Sequence, residues 1–307
     1  MTRHFGYSGA MASGSHTRLG HSAPRRTRRA WPVFSTFRRL IWSGWRLFRS
    51  MFSAIMATPP VMRAGLGSMV VLLLLLTGNW IYHAIHKPSE IFFPLDGTFA
   101  KSPRETWREY GSLFQDHSTA VITPELLAAL AQVEGSGNPV ARTYWRWRLT
   151  SNPLELYQPA SSAVGMYQIT DGTFDEAKRY CIHEHVVIAE GPWHDMKSCW
   201  FNSLYFRVLP SHAIEMTAAL LDRQVGSTIE RQRLTATLQQ KQNLAAVIHL
   251  CGAGAGQAYA ARGFRLLPRQ KCGDHEVGAY LARVNTMKRQ FARLKIVDSP
   301  SPVLKAR

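Results

Sequence analysis

Glu134 is the residue best placed to do acid chemistry. It closes the run Thr123-Pro124-Glu125-Leu126-Leu127-Ala128-Ala129-Leu130-Ala131-Gln132-Val133-Glu134. Thr123 reads as an N-cap, Pro124 as the first helical residue, and Glu125 suits the positive end of a helix. Leu127, Leu130 and Ala131 stand seven, four and three residues before Glu134, so the four share one helical face. The carboxyl therefore points to the core side at the helix end, just before the breaker run Gly135-Ser136-Gly137-Asn138-Pro139. An apolar setting favours the protonated form of a carboxyl, which is what a general acid needs. On its own, such an acid suggests glycosidic-bond cleavage. A buried Glu that only bridges groups inside the fold is the competing reading.

Downstream strings sharpen this reading. Glu134-Gly135-Ser136-Gly137-Asn138-Pro139 resembles the catalytic E-S-x-x-N-P region of lytic transglycosylases in the lysozyme-like superfamily. Gly165-Met166-Tyr167-Gln168-Ile169-Thr170 resembles their G-L-M-Q-I-T string, and His249-Leu250-Cys251-Gly252-Ala253-Gly254 stands where they carry Y-N-A-G-x-G. Tyr280-Leu281-Ala282-Arg283-Val284 is similar to their late Y-V-x-x-V segment. The four pieces keep the family's order over 118–295. The chain departs from the pattern at Gly135, where the family has Ser, and at Tyr167, where it has Met. His249 and Leu250 replace Tyr and Asn, and the interval from Glu134 to Gly165 is longer than usual.

The resemblance implies a mainly α, lysozyme-like domain acting on peptidoglycan without a cofactor or metal. Glu134 would protonate the oxygen between N-acetylmuramic acid and N-acetylglucosamine. The same Glu would then activate the sugar's C6 hydroxyl, giving a 1,6-anhydro end. Ser136, Gly165, Met166, Tyr167, Gln168, His249, Gly252 and Tyr280 would contact substrate. Most glycosidases use a second carboxylate. Asp171, Asp175 and Glu155 are the nearest candidates, and none lies in a catalytic string. Two alternatives stay open: a hydrolytic lysozyme-type muramidase, and a non-catalytic peptidoglycan-binding part of an envelope-spanning assembly such as secretion or pilus machinery.

These residues need a platform, and the first third of the chain describes one. The net charge is +17, yet residues 1–63 hold eleven Arg and no Lys, Asp or Glu. Counting Lys87, residues 1–89 carry +12, which leaves +5 for the rest. Residues 1–30 read as a disordered basic tail. In 31–63, Phe34, Phe37, Ile41, Trp45, Phe48, Phe52 and Ile55 recur at helical spacing, with Arg38, Arg39, Arg46 and Arg49 off the stripe. Such a basic amphipathic helix suits an anionic membrane surface or a protein partner. No nucleic-acid motif accompanies the charge, which disfavours that partner.

Residues 64–86 contain no Asp, Glu, Lys or Arg, and 64–85 would span roughly 33 Å as a helix, enough for a bilayer core. Trp80 and Tyr82 fit an interfacial belt, and the Arg excess before the span places the N-terminus inside. The basic lead is too long for a signal peptide, so an uncleaved single anchor is expected. The expected location is a bacterial inner membrane, with the catalytic domain in the periplasm. Residues 87–117 read as a stalk punctuated by Pro and Gly, and 296–307 as a loose tail.

Further helices are expected from about Thr173, after Pro210, over 243–250 and over 275–294. Four cysteines all follow the span, and an even count outside the cytoplasm favours disulfides. Sequence neighbours suggest Cys181 with Cys199 and Cys251 with Cys272. The group Cys181, His183, His185, His194, Asp195 and Cys199 reads alternatively as a zinc site, without a familiar ligand spacing. The run Tyr144-Trp145-Arg146-Trp147-Arg148 could stack on sugars or simply pack a loop.

Overall fold

The computed structural model describes residues 42, 45, 46, 49, 50, 53, 56–87, 90–91, 97–192, 194–195 and 198–298. The tails 1–30 and 299–307 lie outside these residues, as do Phe34, Phe37, Ile41, Phe48, Phe52 and Ile55 of the basic stripe. Trp45, Arg46 and Arg49 are helical and exposed. The chain divides into two units, Met1–Val71 and Leu72–Arg307. The boundary falls inside the first long helix, α1 (Pro60–His86).

Among the described residues, two helices are long and apolar enough to cross a membrane. The apolar window of α1 has no buried residue. The other is Leu238–Ala261, whose Leu244, Ala245, Val247 and Ile248 are buried in the domain core.

The rest of the second unit is mainly helical: α2 (Pro103–Asp116), α3 (Pro124–Gly135), α4 (Asp171–Ala177), α5 (Pro210–Gln232), α6 (Leu238–Ala261) and α7 (Val277–Asp298). Among the described residues, strands appear only as three antiparallel hairpins. These pair β1 (Trp145–Trp147) with β2 (Tyr157–Pro159), β3 (Tyr180–His183) with β4 (Val186–Ala189), and β5 (Lys271–Cys272) with β6 (His275–Glu276).

α2 corrects the expected stalk. Ser102 and Glu105 form a capping box that starts the helix, and Pro103 takes its first turn. Trp107, Tyr110 and Phe114 then fall on one face and are buried, Trp107 stacking on Phe114 and touching Phe291 of α7. The segment therefore belongs to the domain, because its apolar residues recur at helical spacing within a polar sequence.

α3 begins as its sequence indicates, with Thr123 extended and Pro124 inside the first turn. The Thr123 hydroxyl makes no cap bond and instead accepts from Gln242 Nε2 of α6. Leu126, Leu127, Leu130 and Ala131 are fully or almost fully buried, and α3 packs against α7 and α2. α5 packs on α6 beside them. Both suggested disulfides are formed. Cys181–Cys199 ties β3 to the segment before α5, and Cys251–Cys272 ties α6 to β5.

One polar cluster joins the end of α1 to the β1–β2 hairpin. Asn79 Nδ2 donates to the Tyr157 carbonyl at 2.8 Å. His83 Nε2 lies 2.9 Å from the Leu154 carbonyl, so this nitrogen carries the hydrogen. Glu90 is fully buried; Lys87 Nζ lies 3.3 Å from its Oε1 and Arg142 Nη1 3.5 Å from its Oε2. Trp145 Nε1 donates to the same Oε2 at 2.8 Å. Within the aromatic-basic run, Trp145 is thus used for packing, whereas Trp147 is 73% exposed.

Candidate active site

Glu134 sits on the last turn of α3, which Ser136 closes in the left-handed conformation. The glycine string can approach the helix end this closely because position 135 lacks a side chain. A Cβ on Gly135 would lie 2.8 Å from Met166 Cα and 2.9 Å from the Met166 carbonyl. This close approach accounts for Gly at the place where the resembling family has Ser. Gly135→Ala is expected to cost about 1–3 kcal/mol, because the neighbouring atoms are backbone and must move as a segment. Thermal unfolding of the variant checks this, and an unchanged midpoint would contradict it.

The segment that α3 meets is the glycine string. Gly165 adopts φ +81°, and a Cβ there would lie 2.5 Å from the Arg207 carbonyl. Its N–H donates to the Ala141 carbonyl, and Val164 pairs with Ile169 to close the turn. Gln168 takes a left-handed conformation and anchors its amide on the Gly165 and Ala141 carbonyls.

Met166 and Tyr167 depart from the expected substrate contact. Both are fully buried, and the Tyr167 hydroxyl donates to the Leu127 carbonyl inside α3. Their side chains serve the core because the turn at Gly165 directs them beneath the helix. Tyr167 still bears on the site indirectly, since its ring stands edge-on to His249 at 6.4 Å. Ser136 is exposed at the helix end, and its carbonyl accepts from the Lys101 N–H.

Three side chains from three helices meet at the acid. The Tyr280 hydroxyl of α7 donates to Glu134 Oε1 at 2.5 Å, and His249 Nε2 of α6 lies 3.8 Å from the same oxygen. The Glu134 side chain is 17% exposed and that of His249 11%, so the group is mostly enclosed but reachable. Burial, followed by the Glu134 charge, pushes the Tyr280 phenol well above its ordinary range. It therefore keeps its hydrogen through neutral pH and acts on Glu134 as a donor. With Oε1 engaged by Tyr280, Oε2 is the carboxyl oxygen left for another partner.

Beside this group lies a cleft of about 330 Å³, lined by Gln168, Thr173, Glu176, Thr217, His249 and Gly252 among others. Glu134 does not itself line it; His249 belongs to both. Gly252 breaks the helical geometry of α6 at φ 82°, ψ 168°, directly after the disulfide-bonded Cys251. The Thr217 hydroxyl is buried at the cleft with no hydrogen bond among the described residues.

The acids named from sequence are used elsewhere. Asp171 pairs with Arg207 at 2.7 Å, Asp175 with Lys178 at 3.0 Å, and Glu155 accepts from Asn152. The carboxylate on the cleft is Glu176, held by Gln224 Nε2 at 2.9 Å. Sequence reasoning passed over it, although Thr173, Glu176 and Ala177 share helical spacing after the Thr170 cap. Cys181 and Cys199 are bonded to each other, which removes the two thiolates of the zinc reading.

Compared with known proteins, the chain matches no family model, no curated protein and no solved structure.

Proposed function

We propose that this chain is a membrane-anchored peptidoglycan lytic transglycosylase. The observation that carries the reading is one enclosed carboxyl, Glu134, held by the Tyr280 hydroxyl at the end of α3 beside a cleft of mixed polar and apolar lining. The four-string resemblance supplies the polymer. Glu134 Oε2 delivers its proton to the bridging oxygen, and the bond from that oxygen to the anomeric carbon breaks. The C6 hydroxyl of the same sugar attacks the anomeric carbon and returns its proton to Glu134. Atoms balance without water, and the attack is intramolecular, which favours it by proximity. Tyr280 fixes the carboxyl plane throughout and keeps Oε1 out of the proton transfer.

A hydrolytic reading draws on Glu176, a carboxylate on the adjoining cleft that could orient a water. The two readings part at the product. The full-length chain in detergent should release soluble fragments from purified peptidoglycan, and no release would remove both.

Tyr280→Phe tests the positioning role. Losing a hydrogen bond to a charged group is worth about 1.5–3 kcal/mol, so cleavage should fall roughly 10- to 100-fold with the fold intact. A rate within twofold of the parent would show that Tyr280 does not position the acid.

A further inference from the structure

We infer that the β1–β2 hairpin is a lipid-surface contact that seats the outward domain on the bilayer from which α1 emerges. The inference rests on the reading of α1 as a membrane span. Its observation is the placement of an amphipathic hairpin against the last two turns of that helix.

The hairpin is fastened to α1 by Asn79 and His83, the residues that turn one face of the helix end polar. Ile81 and Ile85, on other faces of the same turns, are 47% and 72% exposed and are left for lipid. From Asn79 to His86 the helix rises about 10 Å. A bilayer's polar layer begins where the apolar stretch ends and is roughly 5–8 Å deep on each side. Asn79 and His83 flank Trp80 and Tyr82, the interfacial pair of α1, so their hydrogen bonds hold the hairpin at the level of lipid headgroups.

Its side chains suit that level. Trp145, Trp147 and Leu149 alternate with Arg146 and Arg148 along the extended run. Pairing continues past β1, because the Arg148 N–H donates to the Leu156 carbonyl. An aromatic series runs from His83 through Trp145 and Tyr157 to Trp147, with ring centroids 5.2, 5.1 and 4.7 Å apart. It begins enclosed against α1 and ends exposed: Trp147 is 73% exposed and Leu149 fully so. Arg146 and Arg148 are exposed too. An exposed Trp and Leu flanked by two Arg form a side-chain set that partitions into an anionic headgroup layer. A loop built only to pack would not leave its largest apolar residues in water while using Trp145 on the helix.

The consequence is a fixed height. Glu90, Lys87 and Arg142 tie the chain leaving α1 to the hairpin root. Substrate would be met at a set distance and orientation from the membrane.

The test uses the full-length chain in vesicles of phosphatidylethanolamine and phosphatidylglycerol. Its four native cysteines are all in disulfides, so single nitroxide labels can be placed at Leu149→Cys, Leu73→Cys and Arg231→Cys. Spin-label collision with a water-soluble nickel chelate is compared with collision with oxygen. The expected result is a Leu149 label several-fold less open to the chelate than the Arg231 label, and shallower than the Leu73 label. If Leu73 reports hydrocarbon while Leu149 is as open as Arg231, the hairpin does not meet lipid and the anchor stands. If Leu73 itself is open to the chelate, the anchor reading fails and takes this inference with it. Shielding of Leu149 by added soluble glycan fragments, and not by the vesicle, would make the hairpin a sugar platform and overturn the lipid assignment.

Discussion

Glu134→Gln is expected to leave the domain of α2–α7 folded and to lower peptidoglycan cleavage by roughly 10²–10⁴-fold, the span ascribed to a positioned general acid. Gln keeps the volume of the side chain and an oxygen that can accept from Tyr280. It cannot deliver a proton to the bridging oxygen. The fold should survive because Glu134 stands at the open end of α3, while Leu127, Leu130 and Ala131 of the same face remain buried. Circular dichroism and the thermal midpoint would establish folding, and fragment release would give the rate. A folded variant working near the parent rate would remove Glu134 from the acid role.

The second large effect is on stability. Glu90→Gln is expected to destabilise the junction between α1 and the β1–β2 hairpin by about 3–5 kcal/mol, the cost of removing one partner from a buried ion pair. Glu90 is fully buried, with Lys87 and Arg142 on its two oxygens and Trp145 donating to it. Burial pulls the Lys87 ammonium below its ordinary range, and Glu90 opposes that pull. Without the carboxylate, Lys87 sheds its proton more readily and Arg142 keeps a buried charge. Thermal unfolding of the full-length chain in detergent should show a midpoint lower by several degrees. A shift below about one degree would mean that water reaches the cluster and screens it.

The parts of this molecule that sequence reasoning reached are those governed by short spacings. The apolar face of α3 is legible because Leu127, Leu130 and Glu134 are local neighbours. The disulfide partners lie 18 and 21 residues apart, so sequence neighbours were also spatial ones. The burial of Met166 and Tyr167 was not legible. It follows from the turn at Gly165 and the close approach of Gly135, which are facts of packing between segments far apart in sequence. The same holds for α2, whose Pro103 and exposed charges resemble a linker until Trp107, Tyr110 and Phe114 are seen on one face. The Glu90 cluster joins residues 52 and 55 positions apart, and no local pattern announces it. Glu176 is not legible because it sits in a short polar helix without an apolar stripe.

The most direct measurement of the central claim is the mass of the products. Peptidoglycan digested by the full-length chain, and analysed by mass spectrometry without prior reduction, should yield fragments ending in 1,6-anhydro-N-acetylmuramic acid. These are lighter by one water than the hydrolytic products. Their formation should disappear with Glu134→Gln and fall with Tyr280→Phe. Fragments bearing only ordinary reducing ends would contradict the transglycosylase account and turn attention to Glu176 as the residue that orients water.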